Sequence, residues 1–192
     1  MGFADYHGNA PEHDSRTIAV GRVRPPDPAL LFIGTLYCDE SVFHNAHDLL
    51  KKHFGEILLV SHSIPWDFST YYQDEIGSPL FRQFLFFKTF IDPGILADIK
   101  IRTNEIEDAL SSEDKRRINL DPGYLTLSKI VLASTKDYAH RIYLGKGIYA
   151  ETTLIYKGGT YEPHMFSYRD YQDESYIKIF MNVRALYKKM LS

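Results

Sequence analysis

The chain has almost no sulfur chemistry to offer: its 192 residues include one cysteine, Cys38. An intramolecular disulfide and a paired C-x-x-C zinc site are therefore excluded, and a lone thiol fits a reducing compartment. No apolar run approaches the ~20 residues that a membrane-spanning helix needs. The opening MGFADYHGNAPEHDSR has neither the basic region nor the apolar stretch of a secretory signal. With 22 Lys+Arg against 25 Asp+Glu, the formal charge is −3, which gives no electrostatic reason to expect nucleic acid. There is no P-loop spacing and no G-x-G-x-x-G; GKG and KGG read as turns. No pair of H-x-[ST] motifs appears, which counts against the two-histidine phosphoesterases. These absences leave a cytoplasmic protein that engages neither membrane nor nucleic acid as the expectation.

Aromatic residues are plentiful, with 14 Tyr and 12 Phe. Each buries a large area, and each Tyr hydroxyl needs a partner, so half-buried packing with polar edges or a pocket wall is implied. At 44% hydrophobic and 24% charged residues the chain can bury a core. Its length suits one domain. Residues 1–29 read as a flexible leader, because RVRPPDPA carries three prolines in four positions and favours extended, unpaired backbone. A single globular domain is expected over residues 30–192.

LLFIGTLY (30–37) is a nearly continuous apolar run, as in a strand covered on both faces. DESVFHNAHDLLKKHFG follows as a helix. Asp39 or Ser41 can cap it, Gly55 can end it, and Val42, Phe43, Ala46, Leu49, Leu50 and Phe54 form one stripe. EILLVSHSI and FRQFLFFKTFI (81–91) read as strands. Asp92-Pro93-Gly94 then opens a helix carrying Leu96, Ile99, Thr103, Ile106 and Leu110. RRINL (116–120) reads as a short strand. Asp121-Pro122-Gly123 repeats the start signal and predicts a further helix from Tyr124 to about Thr135. A hairpin and a C-terminal helix over about Glu174–Met190 complete the chain. From Leu30 to Leu120 the order is that of an α+β fold with a ferredoxin-like βαββαβ core, its helices on one face of an antiparallel sheet. The added helix, β-hairpin and C-terminal helix extend or cover it. Many unrelated activities share this arrangement, so it names none.

The hairpin HRIYLGKGIYAETTLIY carries the most information. A three-residue loop, Gly145-Lys146-Gly147, sets Leu144 opposite Ile148, Tyr143 opposite Tyr149, Ile142 opposite Ala150, Arg141 opposite Glu151 and His140 opposite Thr152. Alternation then gives one face of Ile142, Leu144, Ile148, Ala150 and Leu154, and another of Arg141, Tyr143, Tyr149 and Glu151. The polar face has two readings. Cross-strand Tyr–Tyr and Arg–Glu pairs stabilise a sheet by roughly 0.2–1 kcal/mol each without any ligand. Alternatively, Arg141 and Glu151 line a concave site with Tyr143 and Tyr149 as walls. His140 is either a hydrogen-bonded core histidine or a base.

Asp121 is most simply a helix cap, with N–H groups beside it where an anion could sit. Lys129 matters only if it points toward the hairpin. The loop SHSIPWDFSTYYQDEIGSP (61–79) carries Trp66, Asp67, Tyr71, Tyr72, Asp74 and Glu75, either to plug the sheet or to carry function on a rigid scaffold. His44 and His47, with Asp48, have a spacing that could hold a metal, but they fall on the polar side of a helix. Cys38 reads as a small buried thiol.

The stretches LFIGTLYCDE, TNEIEDAL, RINLDPGYLTLSKIVLASTKDYAHRIYLGKGIYAE and SYIKIFMNVRALY together resemble the uncharacterised bacterial family DUF4416, over about residues 30–188. The proline-containing leader lies outside the resemblance. It implies no activity, substrate or cofactor. It does imply that Asn119, Asp121, Gly123, Tyr124, Lys129, His140, Arg141, Gly147 and Glu151 belong to the family's signature.

The leading expectation is a protein that binds or acts on a small anionic metabolite. Lys129 and Arg141 would hold the anion beside Tyr143 and Tyr149, with Asp121, His140 and Glu151 as acid–base groups. One alternative is a non-catalytic module whose aromatic and Arg surface binds a protein partner or a second copy. Another is a metal-dependent hydrolase, which needs His and carboxylate ligands to converge; no residue is assigned to a metal.

Overall fold

A computed structural model of the protein describes residues 22–113 and 115–192. Most of the expected leader, residues 1–21, lies outside the described residues. Residues 22–28 run without regular structure into the first strand, and the Tyr187 hydroxyl donates to the Pro28 carbonyl at 2.6 Å.

The strand β1 (Ala29–Tyr37) is buried along its whole length. That requires cover on both faces, and its alternation shows what supplies it. Leu31 and Ile33 pack with α1 (Glu40–Phe54) and α3 (Leu96–Leu110), through Val42, Phe43, Ala46, Leu50, Ile99 and Ile106. Leu30 and Phe32 point the other way, onto Tyr176, Phe180, Val183 and Tyr187 of α4 (Glu174–Met190). The Phe32 and Phe180 rings meet edge to face at 5.0 Å, the arrangement that the ring quadrupoles favour. Caps fix where these helices start. Asp39 accepts from the Ser41 N–H at 2.8 Å, and Asp173 accepts from the Ser175 N–H at 2.8 Å.

Among the described residues the sheet has nine strands, and every pairing between them is antiparallel. Besides β1 these are β2 (Ile57–Val60), β3 (Ile64–Trp66), β4 (Leu80–Ile91), β5 (Ile118–Leu125), β6 (Lys129–Ser134), β7 (Ile142–Gly145), β8 (Ile148–Lys157) and β9 (Thr160–Pro163). They lie in the order β2-β4-β1-β5-β6-β8-β7, with β3 beside β4 and β9 beside β8. A short helix α2 (Tyr71–Ile76) precedes β4. The fold is α+β, as expected, but the sheet is larger than a four-stranded ferredoxin-like core, and helices cover both of its faces.

The helix expected from Tyr124 to Thr135 does not form; β5 and β6 occupy that stretch. The periodicity there is two. Tyr124, Val131 and Ala133 join the α3 side, while Leu125, Ile130 and Leu132 join the α4 side. Asp121-Pro122-Gly123 is therefore strand rather than cap. Gly123 is needed for close approach: a Cβ there would stand 2.5 Å from the Val131 carbonyl and 2.6 Å from the Phe32 ring.

In the hairpin, Ile142 pairs with Ala150 and Tyr143 with Tyr149, as expected. Gly145, rather than Leu144, lies opposite Ile148. Lys146 and Gly147 have φ of 56° and 76°, as in a two-residue turn with both central residues left-handed, and Leu144 becomes the bulge. The expected faces also change. Ile142 and Leu144 are exposed, whereas Arg141 and Glu151 are buried. A second register shift, between Ile130 and Val131 on β6, puts Glu151 and Leu154 on the same side of β8.

Candidate functional site

β5 and β6 separate. They pair only from Gly123 opposite Leu132 to Leu125 opposite Ile130. Beyond that point β5 continues along β1 back to Ile118, and β6 continues along β8 to Ser134. An open edge in mid-sheet leaves backbone groups without ladder partners. Pro122 has no N–H to satisfy, and α3 reaches over to serve Leu120. The Leu120 N–H donates to Glu107 at 2.5 Å, and Lys100 Nζ donates to the Leu120 carbonyl at 2.9 Å. The buried Lys100 and Glu107 are thus explained by the gap.

Arg82, Asn119, Asp121 and Ser134 lie on the α4 side of the sheet, beyond the apolar rows that α4 covers. Arg82 on β4 and Asp121 on β5 are separated by β1, and the residue opposite Asp121 on β1 is Gly34. A Cβ at Gly34 would stand 3.2 Å from Arg82 Nη1, so the missing side chain gives the guanidinium its path across β1. Arg82 Nη1 donates to Asp121 Oδ2 at 3.1 Å, and Nη2 donates to Asp170 Oδ2 at 3.1 Å. Trp66 Nε1 adds a bond to the same Asp170 oxygen at 3.2 Å. Burial opposes the charge on Arg82, but Asp170 and Asp121 outweigh it and hold its pKa above the ordinary value. Asp121 Oδ2 also accepts from Asn119 Nδ2 at 2.7 Å. Its Oδ1 accepts no hydrogen bond from the described residues.

Two chambers meet at this carboxylate. On the α4 side, a cleft of about 400 Å³ is lined by Trp66, Phe68, Tyr72, Tyr168 and Tyr171. Toward α3, about 630 Å³ is bordered by polar side chains that include Asn104, Ser111, Asn119, Ser134 and Thr135. Tyr72, Asp121, Ala133 and Tyr168 line both. These volumes fall in the ~300–1,000 Å³ range of small-molecule sites. Burial, helped by Asp121, raises the pKa of the Tyr72 hydroxyl; burial, helped by Glu151, raises that of Tyr168. Both phenols are therefore neutral at the waist. In the polar chamber Arg116 is tied to Glu75 at 2.5 Å, Glu107 at 3.2 Å and Asn119 at 2.9 Å.

Of the residues singled out from sequence, Asp121 is at the centre of the cleft. Arg141 lines its polar chamber, but the guanidinium is engaged elsewhere. Nε donates to Glu151 at 2.7 Å, Nη1 to Ser134 Oγ at 2.7 Å and the Lys136 carbonyl at 2.8 Å, and Nη2 to the Tyr168 hydroxyl at 2.5 Å. The Tyr138 ring stacks on it at 4.6 Å. Arg141 thereby holds Tyr168 at the waist. Glu151 and His140 stand behind it, 2.9 Å apart, with His140 stacked on Phe166 at 4.6 Å. Neither lines the chambers. Tyr143 and Tyr149 pair with each other at 5.1 Å on the hairpin, outside both chambers. Lys129 opens β6 at the end away from Ser134, about 17 Å along the strand, and its side chain is exposed. The structure therefore does not bring Lys129 to the others.

His47 bonds its neighbour Asp48 at 3.1 Å, and His44 is exposed on α1. Among the described residues no three His, Cys, Asp or Glu side chains are grouped to hold a metal ion. Also among them, no helix is long and apolar enough to cross a membrane.

Sequence reasoning gives Arg82, Asp170 and Tyr168 no site role, and reaches Trp66 only as part of a loop that either plugs the sheet or carries function. Two signals were present: an arginine inside the apolar run FRQFLFFKTFI, and a glycine inside LLFIGTLY that gives it room. Nothing local marks Asp170, which reaches Arg82 from 88 residues away.

A wide antiparallel sheet, split to hold a carboxylate between an aromatic and a polar chamber, is the architecture of this chain. The chain belongs to the family described as Domain of unknown function (DUF4416), whose model matches residues 27–187. Comparison with curated proteins and with solved structures gives no match.

Proposed function

We propose that the protein binds a small metabolite in the cleft between β5 and β6, with Asp121 as its polar anchor. One observation carries the reading. In a polar row where Arg82, Arg116 and Arg141 are each bridged to protein acceptors, Asp121 presents one oxygen that the described residues leave free, at the waist of two ligand-sized chambers. Of the roles expected from sequence, anion binding by Arg141 and Lys129 draws little support from their placement. Among the described residues, the cations at the chambers' borders without a carboxylate partner are Lys136, which sits over the Tyr71 ring, and Arg169. An acid–base role is best supported for Asp121, with His140 and Glu151 acting through Arg141 and Tyr168. The single thiol supports a reducing, cytoplasmic setting.

The test is thermal unfolding of the wild type and Asp121→Asn against a broad metabolite panel. A ligand at 100 times its dissociation constant adds ~2.7 kcal/mol, a shift of several degrees. A shift in wild type that is lost in Asp121→Asn supports the reading, and the same shift in both proteins removes Asp121 from the site.

Protein association is a second reading, favoured by one feature. The edge strand β7 exposes Ile142, Tyr143 and Leu144 together. An uncovered apolar edge of this kind pairs readily with another strand. Sedimentation of the wild type and Ile142→Lys would separate a self-associating edge from a tolerated one.

A further inference from the structure

Resting on that reading of the cleft, we infer the chemical class of its occupant: an aromatic ring joined to an uncharged polyhydroxylated group, the chemistry of a nucleoside or an aryl glycoside.

The two chambers differ in kind. The first is walled by aromatic rings that offer flat faces, the partner of a planar ring rather than of a flexible chain. The second offers amides and hydroxyls: Asn104, Ser111, Ser134 and Thr135. The Asn104 amide and the Thr135 hydroxyl can exchange hydrogen bonds with hydroxyl groups in either direction; the Ser134 oxygen, accepting from Arg141 and the Lys136 N–H, can still donate, and the Ser111 hydroxyl, donating to the Glu107 carbonyl, can still accept.

Charge gives an anion no strong advantage. The polar chamber sets Lys100, Arg116, Lys136 and Arg141 against Glu75, Glu107, Asp108 and Asp121. Three of those cations already serve protein acceptors. The aromatic chamber sets Arg82 and Arg169 against Asp121 and Asp170. Asp121 belongs to both chambers, so the cleft as a whole sets six cations against five carboxylates, close enough to balance for an uncharged molecule to fit it. At the waist, the free oxygen of Asp121 accepts a hydrogen bond. A ring amino group or the first hydroxyl of the polar substituent would supply it.

The experiment is isothermal calorimetry on the full chain with the four common ribonucleosides, their free bases, ribose, phenyl glucosides and the nucleoside 5′-monophosphates. At least one nucleoside or aryl glucoside should bind, with its separate halves weaker by about ten-fold or more, since each half fills one chamber. Phe68→Ala should weaken both the whole ligand and its bare ring. Asn104→Ala should weaken the whole ligand several-fold and leave the bare ring unchanged. Nucleosides and aryl glucosides in parallel show which source of the shared chemistry the protein prefers. A monophosphate that binds about 100-fold tighter than its nucleoside overturns the uncharged class. Binding confined to other compounds, still lost in Asp121→Asn, overturns the class and leaves the cleft reading standing. If nothing in these sets or in the broad panel binds, both fall.

Discussion

Arg141 and Arg82 each meet carboxylates on the same side of one sheet, and they leave those carboxylates in different states. Around Arg141 everything is closed: its side chain is 1% exposed and that of Glu151 3%. Glu151 spends one oxygen on Arg141 and His140 together, and the guanidinium donates to Glu151, Ser134, the Lys136 carbonyl and Tyr168. Around Arg82 the closure is incomplete. Asp170 is 8% exposed but Asp121 is 27% exposed, with one oxygen tied and the other open to the cleft. Both clusters answer the rule that buried charge must be paired and bonded. Only the second has something left over. A buried ion pair is therefore a poor marker of a site by itself; an unspent acceptor at a cavity is a better one.

The largest expected effects test what the two clusters share. Arg141→Met and Arg82→Met should each cost about 3–5 kcal/mol in urea unfolding, because each strands a buried carboxylate. For Arg82 the double variant Arg82→Met/Asp170→Asn should recover part of the loss, since Asp170 then carries no charge to strand. If Arg82→Met cost no more than a surface substitution, the guanidinium would not be the keystone of that row.

Gly34→Ala should come next. Its Cβ would stand 3.2 Å from both Arg82 Nη1 and Phe84, so the neighbours must shift. Crowding of this kind costs about 1–3 kcal/mol. The variant also pushes Arg82 off Asp121, so ligand-induced stabilisation should weaken even where the protein stays folded. A variant that melts lower and responds to ligand as wild type does would show that the path across β1 is structural only.

The isosteric pair Glu151→Gln and Asp121→Asn separates the clusters most sharply. Glu151→Gln weakens charge-assisted bonds in a buried site and should cost about 1–3 kcal/mol. Asp121→Asn keeps an oxygen for Arg82 and sits partly in solvent, so its cost should be under about 1 kcal/mol. Function should run in the opposite order, with ligand response lost in Asp121→Asn and largely kept in Glu151→Gln. Equal stability costs in urea titrations would erase the distinction between a closed and an open cluster.

Much of this was legible in the residues, and the failures are instructive. The buried strand over 30–37, the capped helices, and the facing of Tyr143 with Tyr149 follow from periodicity and turn chemistry that act over a few residues. The helix expected after Asp121-Pro122-Gly123 failed because the same three letters serve two purposes. Asp-Pro-Gly opens a turn of helix at Asp92, where the Asp92 side chain accepts from the Gly94 N–H at 2.8 Å. At Asp121 the proline instead removes an N–H where β5 has lost its β6 neighbour, and the glycine admits Phe32. That difference is set by β1 and β6, not by the neighbouring sequence. Arg141 and Glu151 were correctly paired, but their saturation depends on Ser134, Lys136 and Tyr168, whose approach no local pattern announces. The cleft escaped notice for the same reason: it exists because two strands diverge.

The smallest effect concerns pH, and it separates groups that serve the gap from groups that serve helix ends. Burial raises the pKa of Glu107 above its ordinary 4.5; Lys100, the Leu120 N–H and Arg116 offset that only in part. A raised folded pKa means that the folded protein holds the proton more tightly than the unfolded chain. The stability this contributes is complete below 4.5 and is lost as pH rises through the folded value. Asp173 has the opposite sign. Its bonds from Ser175 lower its pKa below 3.8, so its contribution is present above that value and fades as pH falls. Glu107→Gln should therefore gain on the wild type as pH rises from the acid edge of the carboxylate range toward neutrality. Asp173→Asn should instead lose to the wild type over its own, lower window. Chemical unfolding of the three proteins across that range reads both slopes. If Glu107→Gln tracked the wild type at every pH, Glu107 would titrate alike in the folded and unfolded chain, and its bonds to Leu120 and Arg116 together with Lys100 would offset the cost of its burial in full.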